Sequence, residues 1–390
     1  MTECTENIDL PEENSIEEMI YDAEMIFKDK EKVKITYMPQ RISEALHRKP
    51  VIKELQRCLL DIKRDIAPDN ILIYGKMGTG KTLVTTLVLQ DLKKVMGKLG
   101  KKVTYVSINC DRTSTENATI GRLKNELALE LYGISKGSIS NSKERNYEYF
   151  IKYFNDLDGV LIIFLDEISG VKDPNFINNI TRIESAKTGL HPCLIMTTND
   201  IYFKEILTGK TKSVLVDNEI IFEPYDAEQL ADILKARAKK AFFPNVLGEM
   251  VIPLCSAIAA QENGDARKAM ELLERSGEIA EQKKKSIVEE EDVRDANEKI
   301  ELDRVASVVG TLPTQAKLTL YACILLVARN KKKTCTTGEI YNVYRQLANY
   351  IDVDILTQRR VTDLISELDT LGLINARIES KGRHGRMKTV

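Results

Sequence analysis

The chain has 390 residues, too many for one ordinary core, so two or three domains are expected. Its formal net charge of −2 excludes a uniformly basic nucleic-acid binder but allows a local basic patch. Cysteines at positions 4, 58, 110, 193, 255, 323 and 335 are scattered without a C-x-x-C pair, which excludes a zinc pattern or disulfide framework and points to a reducing, cytoplasmic setting.

Residues 1–20 are acidic and polar, read as a disordered N-terminus and lack the marks of a signal peptide. Apolar runs no longer than about 160–165 fall far short of a membrane span, so no membrane contact is expected. Residues 21–66 predict amphipathic helical stretches with a break at Pro39. Short apolar strands are then predicted at Ile71–Tyr74, Val103–Asn109, Val160–Asp166, Cys193–Thr198 and Glu219–Phe222, separated by helical stretches. This alternation implies an α/β fold with a five-stranded parallel sheet and crossover helices on both faces. Beyond Asp226 no strand is predicted until the C-terminal end; helical periodicity runs through 226–242, 264–282 and 289–305.

The chemistry begins at 75–82. Gly75-Lys76-Met77-Gly78-Thr79-Gly80-Lys81-Thr82 fits G-x-x-x-x-G-K-[ST], between a buried strand and a helix opening at Leu83. The glycines let backbone N–H groups curl toward phosphate oxygens, and the helix N-terminus adds partial positive charge. Lys81 is expected to reach the β- and γ-phosphates and Thr82 to hold Mg²⁺, with the whole loop 75–83 contacting ATP or ADP. Asp166 and Glu167 end an all-apolar strand. Asp166 is placed to hold Mg²⁺ through water and Glu167 to polarise the attacking water. Asn199, at the end of the next strand, can orient that water or bond the γ-phosphate; it reads equally well as a turn residue closing the strand. Gly264-Asp265-Ala266-Arg267 opens a later helix, with Asp265 placed to cap it. Arg267 taken alone is a surface arginine; as the fourth element in this order it becomes a γ-phosphate sensor.

Near the C-terminus, helices at 313–329, 337–350 and 357–371 precede a strand-like run at 372–379 and a basic turn. That pattern is a winged helix-turn-helix. Residues 311–390 hold 13 Lys+Arg and 7 Asp+Glu, a net of +6. Thr357, Gln358, Arg359, Arg360 and Thr362 stand at the start of the expected recognition helix, where base edges or phosphates of duplex DNA are met. Lys381, Gly382, Arg383, His384 and Arg386 make a wing suited to the backbone or a minor groove. Domain limits are therefore expected at 21–224 for the P-loop domain, 225–308 for a helical lid and 309–390 for the winged helix.

This order of motifs resembles the archaeal origin-recognition initiators related to origin-recognition-complex subunit one and cell-division-control protein six, within the AAA+ ATPases. The likeness extends to Phe222–Leu230 and Lys235–Ala238, which look like the family's link into its lid, and to Gly338–Tyr341, Arg359–Leu368 and Leu371–Leu373 in the winged helix. It runs from about Met38 to the end. The resemblance implies a replication initiator that binds origin DNA and helps load the replicative helicase, alone or beside a paralogue, in the cytoplasm on the nucleoid. It implies Tyr225 and Arg237 as further nucleotide-side residues. It also implies a helical insert at 113–137 whose Arg122 and Lys124 touch DNA, although packing on the sheet explains Leu123, Leu127 and Leu131 without any DNA. Two places depart from the family's pattern, Lys210 and the adjoining Thr211-Lys212-Ser213-Val214-Leu215. Lys210 occupies the place where members carry the arginine that completes a neighbour's site, and lysine lacks the planar fork that grips spread phosphoryl charge. Slow hydrolysis, with ATP and ADP as a switch, is the expectation; the alternatives are a divergent, nucleotide-bound DNA-binding regulator with little ATPase and a helicase-loader type of AAA+ ATPase.

Overall fold

A computed structural model describes residues 26–113, 115–133, 139–173, 175–209, 211–212, 218–330, 334–380 and 386–389. Residues 1–20, Lys210 and the segments 213–217 and 381–385 lie outside it. The chain divides into two compact units, Met1–Ala296 and Asn297–Val390.

In the first unit, strands β1 (Ile71–Gly75), β2 (Val103–Asn109), β3 (Val160–Asp166), β4 (Cys193–Thr198) and β5 (Asn218–Phe222) form a parallel sheet in the order β2-β3-β4-β1-β5. β4 therefore lies between the P-loop strand and the Asp-Glu strand, pairing Ile71 with Ile195 and Leu165 with Met196. Every residue of β3 is buried because helices cover both faces. Successive side chains alternate between two cores: Leu72, Leu161, Ile163 and Leu165 point to one, and Ile71, Ile162 and Phe164 to the other.

Helices α1 (Lys49–Cys58), α2 (Lys81–Lys98), α3 (Glu116–Tyr132), α4 (Lys143–Asp156), α5 (Asn175–Thr181) and α6 (Phe203–Ile206) accompany the sheet. The segment before α1 forms 3-10 turns at Lys30–Lys32 and Ile42–Glu44 where longer amphipathic helices were expected. Glu116 ties α3, α4 and α5 together. It accepts from Lys143 at 3.0 Å, Tyr147 at 2.8 Å and Asn179 at 3.0 Å. Burial alone would raise its pKa, but these donors hold it below the usual value.

The lid segment contains α7 (Ala227–Ala241), α8 (Val251–Gln261) and α9 (Ala266–Gln282). A reciprocal capping box between Asp226 and Gln229 starts α7. Helix α8 was not legible in the sequence. Its VIPLCSAIAAQ is apolar nearly all round, so no 3.6-residue stripe appears, and Pro253 is tolerated because it falls in the first turn.

Helix α10 (Glu290–Thr311) runs across the boundary between the units. The second unit then holds α11 (Thr314–Asn330), α12 (Thr337–Tyr350), α13 (Gln358–Thr370) and an antiparallel hairpin of β6 (Arg377–Ser380) and β7 (Arg386–Thr389). Leu318, Leu326, Ile340, Tyr344, Val361 and Ile365 form its core. The fully buried Tyr344 hydroxyl donates to Gln315 Oε1 and accepts from Leu356 N at 3.1 Å, which satisfies the polar end of the ring. Among the described residues, no helix is long and apolar enough to cross a membrane.

Candidate nucleotide site and nucleic-acid interface

The P-loop owes its shape to close approaches that only glycine permits. Gly78 and Gly80 take φ of +70° and +88°. At Gly75 a Cβ would stand 2.7 Å from the Phe222 carbonyl oxygen on the paired strand. Lys81 is 4% exposed, and its Nζ donates to the carbonyls of Gly75 at 2.7 Å and Lys76 at 3.1 Å. Burial lowers its pKa, opposed by Glu167, whose Oε1 is 3.8 Å away.

Strand order carries Asp166 and Glu167 to the same place. Asp166 Oδ1 accepts from Thr82 Oγ1 at 2.8 Å and from Thr197 Oγ1 at 2.7 Å; Asn109 Nδ2 donates to Oδ2 at 3.3 Å. Thr197 links the two acidic positions, because its Oγ1 also accepts from the Glu167 backbone N–H at 3.0 Å. Glu167 itself has a left-handed backbone, φ +51°. Burial raises its pKa, with Lys81 opposing and Asp166 adding. Thr82 and Asp166 present hard oxygens 2.8 Å apart, a donor set that fits Mg²⁺.

Lid and P-loop meet directly. Asp265 caps α9 by accepting from Arg267 N at 2.7 Å, and Ala266 N donates to the Gly78 carbonyl at 3.4 Å. Lys76 Nζ donates to Asn263 Oδ1 at 3.1 Å. Tyr225 approaches Gly264 so closely that a Cβ there would lie 2.3 Å from the Tyr225 carbonyl oxygen. Gly78, Thr79, Gly80, Lys81, Thr82, Leu83, Glu167, Tyr225, Arg237 and Arg267 all line one cavity of about 380 Å³. Gly75, Lys76, Met77 and Asp166, also expected at the nucleotide, are not among the residues of that wall, and two further expected residues behave differently. Asn199 is exposed just past β4 and is not part of that wall. Arg237 lines the cavity, but its guanidinium donates to the backbone carbonyls of Lys32 at 3.3 Å and Tyr37 at 3.2 Å.

On the candidate DNA side, Thr357 caps α13, accepting from Arg360 N at 3.4 Å, and leaves Gln358 and Arg359 exposed. Arg360 Nη1 lies 3.4 Å from Glu367 and 4.0 Å from Asp363 on its own helix, so its charge is partly neutralised. The Thr362 hydroxyl donates to the Gln358 carbonyl at 2.9 Å. Lys381, Gly382, Arg383 and His384 lie outside the described residues, as does the side chain of Arg386. In α3, Arg122 is exposed, but Lys124 is 5% exposed with its ammonium 5.9 Å from the Tyr149 ring centre. The expectation that Lys124 presents charge to DNA is corrected: its position faces the packed side of α3, beside Leu123 and Leu127.

Models of three domains match: "AAA domain" over residues 67–204, "Cdc6 AAA+ ATPase-type lid domain" over 231–298 and "CDC6, C terminal winged helix domain" over 307–390. The chain is 47% identical to the ORC1-type DNA replication protein 1 of Methanosarcina acetivorans over 96% of its own length and 89% of that protein's. The chain belongs to the ORC1-type DNA replication proteins. The Pyrococcus horikoshii ORC1-type DNA replication protein is 41% identical, with 96% and 88% covered. The solved structure of the Aeropyrum pernix ORC1 protein in complex with DNA superimposes with a TM-score of 0.74 at 36% identity, covering 93% of this chain and 92% of that one.

This ORC1-type chain thus has the AAA+ P-loop fold, all-helical lid and winged helix expected of its motifs. Sequence reasoning missed Thr197, Asn109 and Arg48. The first two were findable: in parallel register Asn109 pairs with Asp166, and Thr197 stands one residue beyond the partner of Leu165. Arg48 is 5% exposed. It donates from Nε to the Thr79 carbonyl at 3.0 Å and from Nη2 to the Glu223 carbonyl at 2.7 Å, and lies 3.7 Å from the Tyr225 ring centre. Nothing in the residues around Arg48 in sequence signals such a bridge.

Proposed function

We propose that this ORC1-type protein binds ATP or ADP with Mg²⁺ in the P-loop cavity, binds duplex DNA at replication origins through α13 and the wing, and takes part in helicase recruitment, with slow hydrolysis as its switch. The observation that carries the reading is the convergence of Lys81, Thr82, Glu167 and Arg267 on one cavity, with Asp166 hydrogen-bonded to Thr82 at its edge. A bound Mg²⁺ would supply positive charge that offsets the charge developing on the phosphates. Thr82 and Asp166 would hold it. Glu167, aligned through the shared Thr197 hydroxyl, would orient and deprotonate the attacking water. Lys81 and Arg267 would bear on the phosphates from the loop and the lid. DNA binding is supported by the match to a solved relative in complex with DNA and by exposed Arg359. A paralogue on the same DNA and a nucleoid-associated, cytoplasmic location belong to this reading.

The test is a footprint on origin-containing and random duplex, with ADP and with ATP, for wild type and Lys81→Ala. Discrete protection of origin repeats that depends on nucleotide supports the reading. Weak, uniform protection indifferent to both sinks its origin-binding part.

A further inference from the structure

The cavity wall has two chemistries. Loop residues with Lys81, Glu167 and Arg267 suit phosphates, while Ile35, Tyr37, Met38 and Pro39 offer the more apolar surface that suits a base. Those four belong to the stretch 26–39, which precedes the sheet in sequence yet is fastened to the lid. Phe27 forms an antiparallel bridge with Phe242, ring centres 4.6 Å apart. Lys28 N and Asp29 N donate to the Ala241 carbonyl at 2.8 and 3.0 Å, and Phe243 N donates to the Ile26 carbonyl at 3.1 Å. Glu281 Oε1 accepts from Ile26 N at 3.1 Å, and Lys30 pairs with Glu278 at 2.6 Å. Nearer the cavity, Arg237 holds the carbonyls of Lys32 and Tyr37 and lies 4.6 Å from the Tyr37 ring centre.

Gly277 explains how the far end is seated. Glycine weakens a helix interior, yet it stands inside the 17-residue α9. A Cβ there would lie 2.4 Å from Phe27 Cζ and 3.0 Å from Phe242 Cε1. The glycine is a notch for the Phe27 ring.

We infer that Phe27 in the Gly277 notch and Arg237 on the strap backbone are positioning residues for nucleotide binding: they hold the strap 26–39 on the lid and thereby set the base-side wall of the cavity. The inference rests on the nucleotide reading above. It makes the grip on the base depend on the Phe27–Gly277 seat, which lies outside the cavity wall, and on Arg237 at that wall, while the grip on the phosphates stays with the P-loop.

Phe27→Ala, Gly277→Leu and Arg237→Gln are compared with wild type in release of a fluorescent methylanthraniloyl-ADP and in binding of inorganic tripolyphosphate, which has no base. Losing the seat is expected to speed ADP release about tenfold, the loss of one well-packed anchor, and to leave tripolyphosphate binding within about twofold of wild type. Phe27→Leu should recover part of the difference. Equal weakening of both ligands in Phe27→Ala would mean a general loss of the lid and overturn the inference; so would no change in either. If Gly277→Leu fails to fold, Phe27→Ala, which only empties the notch, decides. Wild type that binds neither ligand would overturn the nucleotide reading itself, and this inference with it.

Discussion

Asp265 lies against Gly78: a Cβ on that P-loop glycine would sit 1.6 Å from Asp265 Oδ1. The carboxylate that caps the Arg267 helix therefore occupies the space a side chain on the loop would need. Lid position and loop backbone are one fitted arrangement, reinforced by the Ala266 to Gly78 hydrogen bond.

Gly78→Ala tests that fit. The left-handed backbone at φ +70° alone costs an L-residue about 1–2 kcal/mol, and the clash with Asp265 adds to it. ADP affinity is expected to fall at least tenfold, about 1.4 kcal/mol, read by isothermal titration. Unchanged affinity would show that the lid does not rest on the loop in solution.

Thr197→Val removes the hydroxyl that donates to the Asp166 carboxylate and accepts from the Glu167 backbone N–H. It leaves the Glu167 N–H without its acceptor, a loss of about 1–3 kcal/mol for a buried amide. Single-turnover hydrolysis should slow about tenfold or more, with ADP affinity changing much less. Equal losses in both would argue that Thr197 merely supports the fold.

Hydrolysis should be lost on acidification earlier than an ordinary glutamate would dictate. Burial raises the Glu167 pKa, and only the carboxylate can take a proton from water. The stability sign is opposite. The folded state binds this proton more tightly than the unfolded chain, so the contribution is present below the unfolded pKa and fades as pH rises through the folded one. Glu167→Gln should abolish hydrolysis and raise the nucleotide-free Tm at neutral pH. A pH–rate profile and paired melts check both signs; a lowered Tm would sink the burial argument.

Arg359 and Arg360 should not be equivalent in DNA binding. Both are exposed, but Arg360 stands within 4.0 Å of Glu367 and Asp363, which partly neutralise it. Each lost phosphate contact should flatten the plot of log K against log salt by about 0.9. Arg359→Ala is expected to show that change, and Arg360→Ala a smaller one. The reverse order would mean that DNA pulls Arg360 away from its carboxylates.

All five sheet strands were legible to within a residue, because apolar runs covered on both faces leave a strong, short signature. The P-loop and Asp-Glu residues were legible for a related reason: their backbone chemistry demands particular residues at fixed spacing. Helix α8 was hidden by its even apolarity. Arg48, Arg237 and Lys124 were hidden because a cation's sequence position does not disclose whether it faces water, a carbonyl or a ring. Arg237 illustrates this best, since it reaches the cavity yet is bound to the strap backbone.

Strand order has a consequence for synthesis. Ile71 finds its sheet neighbours at Ile195 and Asn218, far downstream. While the ribosome is still making the middle of the chain, β1 has no partner on either side, and the loop after it has no rigid base. The phosphate seat forms only after Phe222 has emerged to pair with Gly75. Until then the apolar β1 is an unpaired edge, and the first third of the protein cannot draw stability from a nucleotide on the P-loop.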